Sequence, residues 1–156
     1  MKKIIMALAF ALTVGCSSTY RVIESDINTA EISNGIESSQ SSVAIYLHNE
    51  GTESASIRFE TRYKSNPKQV HRLYVFDQDV PKLKEMLAKF QEQKLTVEDM
   101  SNPLSFGHDK GIFGETRADG KRYVRILTVE GAYLFPESSI PSLINVLTKL
   151  ELAAKI

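Results

Sequence analysis

From residue 43 onward the hydrophobic and polar positions of the chain alternate with periods that specify secondary structure. In SASIRFETRY, Ile57, Phe59, Thr61 and Tyr63 alternate with Arg58, Glu60 and Arg62, and a period of two puts one set on each face of a half-buried strand. SVAIYLHN reads as the first strand, and VHRLYVF, behind the turn signal SNPK, as the return arm of a hairpin. The period then changes. In DQDVPKLKEMLAKFQEQ, Leu83, Met86, Leu87 and Phe90 fall on one helical face between lysines and glutamates. Asp77 or Asp79 supplies the cap, and Pro81 sits in the first turn, where a missing N–H costs nothing.

The second half repeats the order. GIFGETR, the turn ADGK and RYVRILTV predict a hairpin, GAYLFP adds a strand, and ESSIPSLINVLTKLELA forms a helix with Leu143, Leu147 and Leu150 in line. A shift of 60 residues superposes Val80 on Ile140, Pro81 on Pro141, Leu83 on Leu143 and Leu87 on Leu147. The hairpins match at a shorter shift, Glu60-Thr61-Arg62 against Glu115-Thr116-Arg117, with GAYLF counted as an extra strand. The expectation is an α+β domain: an antiparallel sheet from two hairpin-rich halves, each followed by an amphipathic helix packed on one face. Either an internal duplication or the general likeness of amphipathic helices accounts for the match. The same order of elements occurs in single-stranded nucleic-acid binders and in envelope accessory domains, so fold alone does not choose a function.

Ahead of this region the pattern is different. Lys2 and Lys3 precede an unbroken apolar run from Ile4 to Leu12, and the small residues Val14 and Gly15 stand before the single cysteine, Cys16. This is the order of a targeting segment, and the run is shorter than the roughly 20 residues that cross a bilayer. Thr13-Val14-Gly15-Cys16 resembles the lipobox of bacterial lipoprotein precursors, although Thr13 stands where leucine is usual and Leu12 lies one place further back. The resemblance implies that the Cys16 sulfur receives a diacylglycerol, that the chain is cut between Gly15 and Cys16, and that the new amino group is acylated as well. Ser17, which is not Asp, then implies sorting to the outer membrane of a Gram-negative envelope. Two or more acyl chains hold a protein stably where one does not. With its only cysteine committed, the chain has no internal disulfide, and its core alone must hold it in an oxidising compartment. Residues 17–42 are mostly polar, with SSTY at one end and SNGIESSQSS at the other. They read as a tether with a reach of about 25–30 Å, the alternative being a short docked strand through Tyr20, Val22, Ile23 and Ile27. The expected organisation is a signal over 1–15, a lipidated tether over 16–42 and one globular domain over 43–156.

Charge adds one feature. The 19 basic and 19 acidic residues balance, and removal of Lys2 and Lys3 leaves 17 against 19. Residues 54–72 nevertheless carry Arg58, Arg62, Lys64, Lys68 and Arg72 against Glu60 alone, and residues 115–125 carry Arg117, Lys121, Arg122 and Arg125 against Glu115 and Asp119. Arg58, Arg62, Lys64, Arg72, Arg117, Arg122 and Arg125 are therefore the candidate binding residues, with Tyr63, Tyr74 and Tyr123 nearby. A basic sheet face of this kind meets an acidic protein surface or a phospholipid or lipopolysaccharide headgroup, and nucleic acid less readily. The plainer alternative is a solvated face that discourages edge pairing.

Catalytic motifs are missing: there is no GxSxG, phosphate loop, HExxH or paired ligand spacing. His48, His71 and His108 are scattered, and His108-Asp109 in GHDKG is the one place to look for a base. No metal or cofactor is expected. The favoured reading is a non-enzymatic accessory lipoprotein, anchored to membrane lipid through acylated Cys16, facing the periplasm and docking onto another envelope protein. Capture of an anionic envelope ligand by the basic hairpins is the second reading. A hydrolase built on His108 and Asp109, for which no nucleophile is found, is the third.

Overall fold

Two antiparallel sheets and two long helices realise the α+β plan that the periodicities predict. The structure, a computed structural model, describes residues 19–106 and 109–154. Cys16, Ser17 and His108, on which three of the expectations fall, lie outside the described residues. The first sheet holds β1 (Tyr20–Ile23), β2 (Asn28–Ser33), β3 (Ile36–His48), β4 (Ser56–Thr61) and β5 (His71–Phe76). A single 3-10 turn, Asp77–Asp79, leads into α1 (Val80–Gln91). A short α2 (Val97–Ser101) follows, fixed by reciprocal bonds in which the Thr96 hydroxyl accepts from the Asp99 amide and the Asp99 carboxylate accepts from the Thr96 amide. The second sheet runs β6 (Pro103–Phe106), β7 (Asp109–Ala118), β8 (Lys121–Thr128), β9 (Gly131–Pro136), then a turn at Glu137–Ser139 and α3 (Ile140–Ala154).

Residues 20–42 are not a tether. β1 pairs with β3 from Tyr20↔His48 to Ile23↔Ile45, and β2 pairs with it from Asn28↔Ser42 to Ser33↔Ile36. Together they line the length of a 13-residue strand, only the second part of which carries apolar alternation. The physical reason lies in how little side-chain burial this hairpin needs. Thr29 and Thr61 bury their hydroxyls against each other at 2.9 Å, and Ala30 and Ile32 pack on Tyr123, Ala118 and Leu134 of the second sheet. Asn34 and Gly35, both at positive φ, close the turn, as a two-residue hairpin of type I′ requires. The folded unit therefore begins by Tyr20 rather than at residue 43.

The two halves repeat with one offset. β5 and β9 start at 71 and 131, the 3-10 turns at 77 and 137, and the helices at 80 and 140, so each pair lies 60 residues apart. The buried residues obey the same offset: Leu73 and Tyr133, Val75 and Phe135, Leu83 and Leu143, Met86 and Val146, Phe90 and Leu150. β4 pairs with β5 as β8 pairs with β9. GAYLF is thus the counterpart of β5 and not an extra strand. Glu60-Thr61-Arg62 and Glu115-Thr116-Arg117 do not correspond, because β7 answers to β3. Both halves feed one core. Phe59 meets Phe135 edge to face across the sheets, with centroids 6.4 Å apart, and α1 is tied to α3 by Lys84 Nζ, 2.9 Å from the Glu151 carboxylate. No described helix is long and apolar enough to cross a membrane.

Candidate functional site

The register of the first sheet brings distant parts of the chain into rows on its outward face. Val22 stands beside Tyr46, Tyr46 beside Arg58, and Arg58 beside Tyr74. The next row toward the β1 start is Tyr20, His48, Ser56 and Phe76. Alternation makes this the outer face, since the intervening Ile45, Leu47, Ile57, Phe59, Leu73 and Val75 are buried. The guanidinium of Arg58 lies over the Tyr46 ring at 4.4 Å, a cation–π contact. Tyr20 meets Tyr46 edge to face at 5.6 Å and the His48 ring at 5.7 Å. Burial, and then the charge of Arg58, hold His48 below its ordinary value of 6.5, so it is neutral at neutral pH. The Nε of Arg58 is buried without a hydrogen-bond acceptor among the described residues. Its nearest carboxylate, Glu60, is 3.6 Å away and is shared with Arg72 at 3.3 Å.

Two depressions open on this face. Toward the β3 middle, Gln40, Ser42, Ala44, Tyr46 and Glu60 floor an open cleft of about 650 Å³ whose rim carries Arg62 and Lys64. Both rim cations are exposed. Neither has a carboxylate within ion-pair distance among the described residues. Near the β1 start, a groove of about 370 Å³ runs between His48, Ser56, Tyr74 and Phe76 of the first sheet and Phe106 and Asp109 of the second.

The loop that presents Lys64 is pinned from below. The Glu31 carboxylate accepts from the amide of Lys64 at 2.9 Å, from the amide of Ser65 at 3.2 Å, and from the hydroxyls of Ser39 and Ser65. Burial alone would raise its pKa, but these donors together hold it below 4.5. Tyr63 fixes the same loop to the second sheet by donating to the Ala132 carbonyl at 2.7 Å, and burial pushes its phenol up to about 12. The polar β2–β3 hairpin thus supplies both, the clamp on the rim through Glu31 of β2 and part of the cleft floor through Gln40 and Ser42 of β3, a role that sequence reasoning missed.

The basic residues of the second half do not join this face. Arg122 is only 10% exposed. It binds Glu115 at 3.1 Å and Glu137 at 2.7 Å, donates to the Phe90 carbonyl and stacks on the Phe90 ring at 4.2 Å. It is a clasp between β8 and the end of α1 and is withdrawn as a binding residue. Arg117 pairs with the same Glu115 at 2.7 Å. Arg125 lies on the outer face of the second sheet with its Nε buried and without an acceptor among the described residues. Tyr123 is fully buried and bonded to Glu37. Of the histidines, His48 borders the groove and His71 stacks near Tyr63 at 4.9 Å. No three potential metal ligands cluster among the described residues.

No family model matches the chain, and no curated protein is similar to it in sequence. Among solved structures it is similar to that of SsgB, whose mutations correlate to longitudinal cell division during sporulation of Streptomyces coelicolor. The likeness covers 85% of this chain and 89% of that one at 14% identity, with a TM-score of 0.37. No residue role is carried from one to the other.

Proposed function

We propose that the chain is a lipid-anchored, non-enzymatic accessory module of the cell envelope. It is held at the outer membrane through Cys16, faces the periplasm, and docks another envelope protein in the cleft rimmed by Arg62 and Lys64. The observation that carries the docking surface is the contrast in pairing. Arg117 and Arg122 are consumed by Glu115 and Glu137, whereas Arg62 and Lys64 stand exposed over a cleft on a loop that Glu31 holds in place. Glu60 in the cleft floor disfavours a wholly anionic ligand and favours a protein surface of mixed charge with acidic groups at its edge. The lipid part of the reading rests on the sequence resemblance at Cys16. A photo-crosslinking side chain at the exposed Ala44 should give one discrete protein adduct in intact cells. Arg62→Glu with Lys64→Glu should abolish it at unchanged abundance. An adduct that survives the double reversal rules out the cleft. Absence of radiolabelled palmitate on the wild-type chain, or its persistence in Cys16→Ser, rules out the anchor.

A further inference from the structure

We infer that the β1 end of the first sheet rests in the lipid headgroup layer, with Tyr20 and Val22 as its contact residues. This rests on the lipid anchor proposed above and adds the surface that meets the bilayer. Between Cys16 and Tyr20 there are four peptide steps, which span at most about 14 Å whatever their conformation. An anchor on Cys16 therefore leaves no room for the roughly 25–30 Å stand-off of a free 26-residue tether, and the start of β1 is held near the level of the headgroups. The surface found there suits that level. Tyr20 is 59% and Val22 57% exposed, and both project from the same side of β1, since their partners His48 and Tyr46 alternate on the outer face. Tyrosine, with an apolar ring and a polar tip, is enriched at membrane–water interfaces. The intervening Arg21 is neutralised by Glu50 at 2.7 Å. With no free cation in β1 itself, the contact is apolar and aromatic, and it should be indifferent to salt and to lipid charge.

The same placement orients the domain. Ser42, at the cleft, lies six residues from His48 along β3, or about 20 Å. The docking cleft would then begin beside the headgroup layer, at Tyr46 next to Val22, and rise from it toward Ser42 and Gln40, within reach of a partner seated in the same membrane. Ile36, at the far end of β3, is 12 residues from His48 and about 40 Å away.

The chain contains no tryptophan, so single substitutions report position without background. The full chain, processed in cells and confirmed to carry palmitate, is reconstituted into zwitterionic vesicles containing acyl-brominated phosphatidylcholine. Tyr20→Trp and Val22→Trp should be quenched several times more strongly than Ile36→Trp, which is equally exposed at 56%, and equally so at low and high salt. If palmitate is present and Tyr20→Trp and Val22→Trp are quenched no more than Ile36→Trp, the headgroup contact is wrong and the anchor stands. Quenching that collapses at high salt overturns the apolar contact. Absence of palmitate overturns the anchor, and this inference with it.

Discussion

Arg58 and Arg125 occupy equivalent places in the two halves: Arg58 is paired with Tyr74 on β5, and Arg125 with Leu134 on β9, 60 residues further on. On the other side Arg58 faces Tyr46 and Arg125 faces Gly114. Both keep a buried Nε without an acceptor among the described residues. Around this shared centre the halves diverge. The first outer face is open and lined with aromatic rings. The second is partly roofed by the β2–β3 hairpin, whose Ala30 and Ile32 lie on Tyr123 and Leu134. The lesson is that one frame supports two uses of positive charge. Where a roof or a neighbouring carboxylate is available, as at Arg122, the cation serves the fold. Where neither is, as at Arg62 and Lys64, it remains available to a partner.

The equivalence predicts its largest effect in the core. Leu87→Ala and Leu147→Ala remove side chains that are 1% and 0% exposed at matching helix positions, and each should cost about 2–5 kcal/mol. Chemical denaturation should show a single transition shifted in both. A shift in only one, or two separate transitions, would break the claim that both halves share one core.

The difference between halves is sharpened by two arginines. Arg122→Ala leaves Glu115 with Arg117 alone, removes the cation from Glu137, and takes from the Phe90 carbonyl its side-chain donor, and should cost about 2–3 kcal/mol. Arg62→Ala, at an exposed site with no carboxylate in ion-pair distance among the described residues, should cost at most about 0.5 kcal/mol. Equal denaturation midpoints for the two would erase the distinction.

Acid should act through the carboxylates whose hydrogen bonds hold the fold. Hydrogen bonds from Arg122 lead in holding Glu115 below 4.5, a bond from Tyr123 does so for Glu37, and the donors around Glu31 outweigh its burial. A group whose folded pKa is depressed stabilises the fold above its unfolded value and loses that contribution as pH falls through the folded one. Stability should therefore decline as pH drops below about 4.5. Glu31→Gln should flatten part of that decline and loosen the loop carrying Lys64, visible as faster amide exchange at Lys64 and Ser65. A slope unchanged in Glu31→Gln would remove the clamp.

A small effect should also come from Gly114. An added Cβ there meets a terminal guanidinium nitrogen of Arg125 at 3.1 Å, the movable end of a long side chain. Gly114→Ala should therefore change stability by less than about 1 kcal/mol. Gly111→Ala, whose Cβ would lie 2.8 Å from the buried Phe106 ring, should cost more, at about 1–3 kcal/mol. The reverse order would mean that Arg125 is as fixed as Phe106.

Strands and helices with strong alternation were legible in the sequence. β4, β5, α1, the β7–β8 hairpin with its Asp119-Gly120 turn, and α3 all lie where their periods place them. The polar hairpin was not, because Glu31, Ser38, Ser39 and Gln40 are satisfied by hydrogen bonds within it and leave no apolar alternation to read. Its one local signal was Asn34-Gly35 between Ile32 and Ile36. Among the candidate residues, sequence identified the basic stretches but not their pairing, which depends on Glu115 and Glu137 meeting Arg122 across the fold. Val124 and Ile126 share a face with Arg122 and are buried. RYVRILTV itself does not show this, because Tyr123, Arg125, Leu127 and Val129 form an equally apolar alternate set.

The central claim is that the exposed cations of the first half bind while Arg122 in the second half holds the fold, and charge reversal at each tests it directly. Arg62→Glu with Lys64→Glu, compared with Arg122→Glu, is followed by the denaturation midpoint of the purified chain and by the Ala44 adduct in cells at matched abundance. The account predicts a nearly unchanged midpoint and no adduct for the first, and a strongly lowered midpoint for the second. A first variant that keeps its adduct, or an Arg122→Glu chain as stable as the wild type, would contradict it.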